Sequence, residues 1–419
     1  MSPEAAPPEP AAAPRPAAMA SPEHAAFRAR LHAIAADAVR PRAAAIDETG
    51  RYPVDVYDRF AAEGLFALTL PPELGGPRTG PRGIVALTHA TEVMAQYSSA
   101  AGLMLLLSRL PAAPLLAGGT PEQRRRLLVP LGAGRARGAF CMSEPQAGSD
   151  VLGIAARAEP DGGGWRLTGH KSWISGAAEA DWYVVVATTA DPADRRAGAL
   201  RAFVVERDAP GVAVRSHARS SVRGMSLGDL LLDGVPVPGG AALPGIDGLG
   251  PLLGALATMR PVVAARGLGL AEAALMAAVR YAGERRVNGT ALIRQQGIRW
   301  ELARAAADVE AARALTYQAA GLVAAGTAGP ESAARLAVAK LHATECAVRV
   351  SGLATQIFGA AGAVAGHPAE RMYRDARTLT VVEGTSEIQL DLIARGLERG
   401  HLWWGPPAAS GPAGPRDGP

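Results

Sequence analysis

Trp182-Tyr183-Val184-Val185-Val186-Ala187-Thr188-Thr189 is a run of aromatic and β-branched residues with no helical spacing, which reads as a buried strand. Similar short runs surround it: 139–143 (AFCMS), 165–175 (WRLTGHKSWIS), 200–206 (LRAFVVE), 212–216 (VAVRS) and 227–238 (LGDLLLDGVPVP), separated by turn residues such as Asp161-Gly162. A β module over 138–240 is therefore predicted. On both sides the period becomes helical. From about Ala25 to Arg137, apolar residues including Phe27, Leu31, Ile34, Val54, Tyr57, Phe60, Ile84, Leu87, Val93 and Met94 recur at helical spacing, with breaks at Pro53, Gly64, Pro71, Gly75 and Gly76. From about Gly250 to His401 the chain returns to long Ala/Leu-rich stretches, among them 259–286 and 332–359, whose broad apolar faces imply an antiparallel bundle. No internal repeat is evident. The expected architecture is multidomain α+β: an N-terminal helical domain (23–137), a β-barrel-like middle domain (138–240) and a C-terminal four-helix-bundle domain (241–404).

Composition agrees with a chain of several packed modules. Its 419 residues exceed the size of one ordinary hydrophobic core, and 48% hydrophobic with 20% charged residues is globular usage. The excess of 43 Lys and Arg over 39 Asp and Glu is small and scattered, which argues against nucleic acid as a partner. Two cysteines, Cys141 and Cys346, exclude a disulfide framework and a four-cysteine zinc site within one chain, so a reducing cytoplasm is expected and no metal. Residues 1–22 form an Ala/Pro-rich arm without a basic region or an apolar core. They read as a disordered arm, neither signal peptide nor membrane span, and 405–419 read as a disordered tail.

Three motifs carry chemistry. The first is Phe140-Cys141-Met142-Ser143-Glu144-Pro145-Gln146-Ala147-Gly148-Ser149-Asp150, the second Gly169-His170-Lys171-Ser172-Trp173-Ile174-Ser175. The third comprises Arg374-Asp375-Ala376-Arg377 and Glu383-Gly384-Thr385-Ser386-Glu387-Ile388-Gln389. In this order they resemble the signatures of the acyl-CoA dehydrogenase flavoproteins, and the resemblance runs from about Arg51 to Leu397. It implies FAD-dependent α,β-dehydrogenation of an acyl thioester, carried by CoA or by an acyl-carrier protein.

That reaction needs a carboxylate beside a weakly acidic α-proton, an apolar setting to raise its pKa, and donors on the developing enolate oxygen. Glu383, following Val381-Val382 at an apparent helix start, matches the base. The resemblance makes it the catalytic residue, with its own backbone N–H and a cofactor hydroxyl polarising the carbonyl. A carboxylate at a helix start also caps orphan amides, which is the plainer reading of the residue alone.

The same resemblance implies that Phe140, Met142, Ser143 and Ser175 line the flavin edge and that Trp173 covers a flavin face. It places Ser149, Arg260 and Gly384 on the substrate. Gln296, Gln356, Gly359, Thr385 and Glu387 belong by resemblance to the adenosine end of FAD. Arg285 resembles an arginine that reaches the pyrophosphate of a neighbouring subunit's FAD, so a homodimer or homotetramer is implied. No GxGxxG loop follows a strand, so a Rossmann-type site is not supported. Electrons are expected to pass to an electron-transfer flavoprotein or similar carrier.

Three positions depart from the family pattern: Asn288 replaces an aromatic residue, Ala360 replaces a glycine, and Ala257 replaces an acidic residue that helps to hold the pantetheine arm. An oxygen-using oxidase or N-oxygenase on the same fold is the alternative enzyme, and a flavin-free scaffold the non-catalytic alternative. Glu383 favours the dehydrogenase, because oxygen-using relatives usually lack a carboxylate there. The run Gly102-Leu103-Met104-Leu105-Leu106-Leu107 reads equally as a wall of the acyl pocket and as plain core.

Overall fold

A computed structural model describes residues 21–327 and 330–402, together with backbone helix assignments that extend α11 from Pro330. The arm expected over most of 1–22 and the tail at 405–419 lie outside the described residues.

The N-terminal domain comprises α1 (Pro22–Ile34), α2 (Ala43–Thr49), α3 (Val54–Ala62), α4 (Gly83–Tyr97), α5 (Ser99–Arg109), α6 (Ala112–Gly118) and α7 (Pro121–Gly132), joined by short turns. Local chemistry sets several boundaries. Ser21 caps α1 ahead of Pro22, and α7 begins with a reciprocal capping box between Thr120 and Gln123.

Eight strands form the middle domain: β1 (Gly138–Cys141), β2 (Arg157–Asp161), β3 (Gly164–Ser175), β4 (Trp182–Thr188), β5 (Leu200–Glu206), β6 (Val212–Ser216), β7 (Leu227–Pro238) and β8 (Ala242–Asp247). The sheet runs β6-β7-β3-β2-β4-β5-β8, and β1 pairs in parallel with β4. All seven residues of β4 are buried, as an unbroken apolar run requires. One strand was not legible: β8 pairs with β5 beyond residue 240, so the sheet reaches further than expected. Its sequence ALPGID carries Pro and Gly and lacks alternation, which is tolerated because the strand stands at a sheet edge.

The C-terminal domain is built on α8 (Leu249–Ala257), α9 (Arg260–Glu284), α10 (Gln296–Ala324) and α11 (Pro330–Phe358), completed by α12 (Pro368–Leu379) and α13 (Ser386–Glu398). α9 is central, packing on α11, α10 and α4. Gly269 makes its approach to α4 possible: a β-carbon there would stand 2.1 Å from the Glu92 carbonyl oxygen.

The apolar cores cross the domain boundaries. Leu115, Leu127, Leu128 and Leu131 from N-terminal helices share one cluster with the sheet, while Val222, Met225, Met259, Val262 and Val263 share another with α4 and α5. The whole run 102–106 is buried, with Leu103 to Leu106 in this second cluster, whereas Leu107 is partly buried and, with Met104, lines a small pocket beside Tyr52, Tyr57 and Arg137. Two helical stretches, Ser99–Gly118 and Leu249–Glu284, are long and apolar enough to cross a membrane, and the most apolar part of each is mostly buried inside the protein.

Candidate active site

The first two motifs meet in the middle domain. The Ser172 N–H donates to the Ser143 carbonyl at 2.9 Å, joining the segment after β1 to β3. Beneath that contact the Lys171 ammonium lies 2.6 Å from Glu144 Oε1 and 3.0 Å from the Met142 carbonyl. Glu144 also accepts the N–H groups of Ala155 and Ala156 at 2.7 and 3.0 Å. Burial pushes the Glu144 carboxyl up, but Lys171 and these amides pull harder, so it stands below its ordinary value. The acid of the first motif and the lysine of the second thus brace the frame that presents Ser143, Trp173 and Ser175.

β3 changes register against β7 between Lys171 and Ile174, and Trp173 sits in that irregularity with φ 63°. A non-glycine residue held in the left-handed region is costly and marks a site where side-chain direction matters. The consequence is an indole 58% exposed between buried neighbours Ser172 and Ile174. It stacks on His217 with ring centroids 5.3 Å apart. His217 is held in turn by Asp229, 2.8 Å away, which also receives Arg215 at 2.6 Å and approaches His170 at 3.1 Å. Asp229 is itself buried, and burial alone would raise its carboxyl; its hydrogen bonds to Arg215, His217, His170 and Ser172 instead hold it well below the usual carboxylate range. Sequence reasoning missed this support, since Arg215, His217 and Asp229 lie outside the three motifs.

The third motif splits into two roles. Arg374 on α12 reaches Asp47 at 2.7 Å and the Ser220 carbonyl at 2.6 Å, and pairs with Glu370. Its neighbour Asp375 accepts the Val222 N–H at 2.5 Å. These residues clamp the loop between β6 and β7, which carries His217, to α2 and α12. They hold the domains together around the site rather than touching its centre.

Glu383 lies in the turn between α12 and α13, with φ 55°, followed by Gly384 at φ 86°. Capping of α13 falls to Thr385, whose hydroxyl accepts the Ile388 N–H at 3.3 Å, so the carboxylate is free for other use. Glu383 is half-buried. Desolvation raises its pKa, opposed by the Lys340 ammonium and the Arg260 guanidinium. Arg260 opens α9, next to Met259 of the apolar cluster against which Phe140 also packs. Ser149 is exposed on the loop after β1.

Arg285, Gln296, Gln356 and Gly359 gather elsewhere. Arg285 follows the last residue of α9, and Tyr281 stacks on Phe358 at 4.5 Å, joining that end of α9 to the end of α11. Arg260 and Arg285 are therefore about 37 Å apart at 1.5 Å per residue. All four residues are exposed, and Arg285 has no side-chain hydrogen bond or ion pair among the described residues.

Comparison with known proteins identifies the family. Models of the acyl-CoA dehydrogenase N-terminal, middle and C-terminal domains match residues 21–135, 139–235 and 247–398. The chain belongs to the acyl-CoA dehydrogenase family. It is 33% identical over 381 residues to the probable acyl-CoA dehydrogenase fadE25 of Mycobacterium leprae, covering 90% of this chain and 96% of that protein. It is 35% identical over 364 residues to the cyclohexane-1-carbonyl-CoA dehydrogenase of Geobacter metallireducens, covering 86% and 93%. The solved butyryl-CoA dehydrogenase from Megasphaera elsdenii superposes with a TM-score of 0.85 at 31% identity, over 90% of this chain and 99% of that one. A glutaryl-CoA dehydrogenase from Mycobacterium smegmatis, solved in complex with FADH2, superposes with a TM-score of 0.83 at 25% identity over 91% and 95%.

FAD is the cofactor of this acyl-CoA dehydrogenase family, and the residues present fit it. An isoalloxazine ring needs hydrogen-bonding groups along an edge and an apolar cover on a face. Ser143 and Ser175 are half-buried, and neither hydroxyl has a protein partner among the described residues, while Trp173 offers an exposed indole beside them. The unpaired Arg285 is suited to phosphate.

Proposed function

We propose that this acyl-CoA dehydrogenase family member oxidises an acyl thioester between its α and β carbons, with Glu383 as the base that takes the α-proton. The observation that carries the reading is the half-buried Glu383 carboxylate in the turn before α13, raised in pKa by desolvation and within the influence of the Lys340 and Arg260 cations. Bound FAD supplies the acceptor for the β-hydride. The chain's own part is to orient and to move a proton. Glu383 receives it at its carboxylate, and the Glu383 backbone N–H, which has no protein acceptor among the described residues, is placed to donate to the thioester carbonyl as negative charge develops there. Phe140, Met142, Ser143, Trp173 and Ser175 form the flavin edge and cover. Ser149, Arg260 and Gly384 face the acyl arm.

Arg285, Gln296, Gln356 and Gly359 serve the adenosine and pyrophosphate end of a FAD bound by a second copy of the chain, with Thr385 and Glu387 approaching it from the Glu383 side. This division makes the assembly a homodimer or homotetramer. We place the enzyme in the cytoplasm, passing electrons to an electron-transfer flavoprotein or similar carrier. CoA is the carrier that the relatives' names support. Ala257, which packs on Ala319 and Leu336 where an acidic residue is usual, favours a carrier-protein thioester as the second reading.

Glu383→Gln tests the base directly. The variant is expected to retain FAD and acyl-CoA binding and to lose more than about 10³-fold of the anaerobic flavin-reduction rate, because an amide does not accept the proton. A rate within about ten-fold of wild type would remove Glu383 from that role.

A further inference from the structure

We propose that Lys340 is a positioning residue for proton abstraction, holding the Glu383–Gly384 turn by its hydrogen bond to the Gly384 carbonyl and facing the Glu383 carboxylate with a buried positive charge. The inference rests on Glu383 being the base.

Lys340 lies in the middle of α11 and its side chain is fully withdrawn from solvent, a setting in which lysine is rare unless paired. Its Nζ donates to the Gly384 carbonyl oxygen at 2.8 Å. A second buried side chain, Gln389 from α13, donates to the same oxygen at 3.0 Å and to the Glu383 carbonyl at 3.3 Å. Two consecutive residues with positive φ are thus tied from opposite sides, by a cation on α11 and an amide on α13. The tie leaves no slack. A β-carbon at Gly384 would stand 2.6 Å from Gln389 Nε2.

The charges around Lys340 come from four places: Glu383 in the turn, Glu387 on α13, Glu345 on α11 and Arg260 on α9. Other charged groups nearby are committed elsewhere. The Asp308 carboxylate on α10 accepts from Arg349 and its backbone carbonyl approaches His342, while Arg377 on α12 bonds to Thr380. Burial, with Arg260, brings the Lys340 ammonium down to about 8, against the pull of the three carboxylates. At neutral pH it remains charged and opposes the rise in Glu383's pKa that burial causes.

The test separates the hydrogen bond from the charge. Lys340→Gln keeps a donor for Gly384 without charge, and Lys340→Met removes both. The readout is exchange of the α-protons of 3,3-dimethylbutyryl-CoA, which has no β-hydrogen, into D2O on the FAD-loaded enzyme between pH 5 and 9. Both variants are expected to move the acidic limb of the exchange rate upward by about one pH unit, because Glu383 loses a neighbouring cation. The plateau rate should fall on the order of 10²-fold in Lys340→Met, through loss of positioning, and far less in Lys340→Gln. Flavin absorbance should be unchanged in Lys340→Gln, which carries the test should Lys340→Met not fold. A Lys340→Gln limb at the wild-type pH, with exchange abolished by Glu383→Gln, overturns the proposal while leaving the base in place. Exchange that survives Glu383→Gln overturns both.

Discussion

Lys171 and Glu144 form an ion pair of 2.6 Å with side-chain exposures of 0% and 2%, joining one signature motif to another beneath the proposed flavin edge. Such a pair costs desolvation on both sides, and its net contribution is small as long as both partners are present. Removing one is different, because the other is left buried and charged without its counter-ion. Lys171→Met is therefore expected to destabilise the FAD-loaded protein by about 3–5 kcal/mol and to loosen FAD, whereas Lys171→Met with Glu144→Gln recovers much of the loss. Chemical unfolding of the three proteins decides it. Equal midpoints for the single and double variants would mean that the pair does not brace the motifs.

Asp375 makes a pH-dependent contribution of opposite sign to most carboxylates. Burial raises its pKa to about 6, against the Val222 N–H and the guanidinium of Arg266. Its unfolded value is about 3.9. Because the folded value is the higher one, the contribution to stability is fully present below the unfolded pKa and is lost as pH rises through the folded one. Asp375→Asn retains an acceptor for the Val222 N–H and does not ionise. Relative to wild type, the variant should gain on the order of 2 kcal/mol in unfolding free energy between pH 4 and pH 7. A difference that stays flat across that range would place the proton elsewhere.

Much of this was legible from local pattern. The change of period on either side of Trp182–Thr188 marks the three domains, and the motifs name Glu383, Ser143 and Trp173 because those residues lie within contiguous segments. What was not legible depends on contacts between distant parts of the chain. Arg374 meets Asp47 across 327 positions, and His217 joins Trp173 only because Asp229 holds it. Lys340, inside SAARLAVAKLHATE, reads as one more polar residue on an amphipathic helix. Only the return of the chain from α12 lays the Gly384 carbonyl over it. Similarly, Thr385 takes the capping role that the sequence left open for Glu383, a choice made by the backbone of the turn.

The separation of Arg285 from Glu383 leads to the remaining prediction. Glu383 faces Arg260 at the start of α9 and Arg285 follows its end, 25 helical residues on. A rigid helix holds Arg260 and Arg285 about 37 Å apart, so under the proposed roles Glu383 and Arg285 of one chain would serve different FAD molecules. In a two-fold assembly each site then draws Glu383 from one copy and Arg285 from the other. Arg285→Ala alone should weaken FAD retention, since it removes a charge-assisted bond to phosphate worth roughly 1.5–3 kcal/mol. Mixing makes a sharper test. In a hybrid of Arg285→Ala with Glu383→Gln, one site carries both lesions and the other carries neither. Co-expression of the two variants, each nearly inactive at limiting FAD, is therefore expected to restore about a quarter of wild-type turnover, with FAD retained in the intact sites. Were both residues to act on the same FAD within one chain, every site in the mixture would keep one lesion. Turnover no greater than the sum of the separate variants, with hybrids demonstrated by affinity tags on each chain, would return Arg285 to the role of a solvated surface residue.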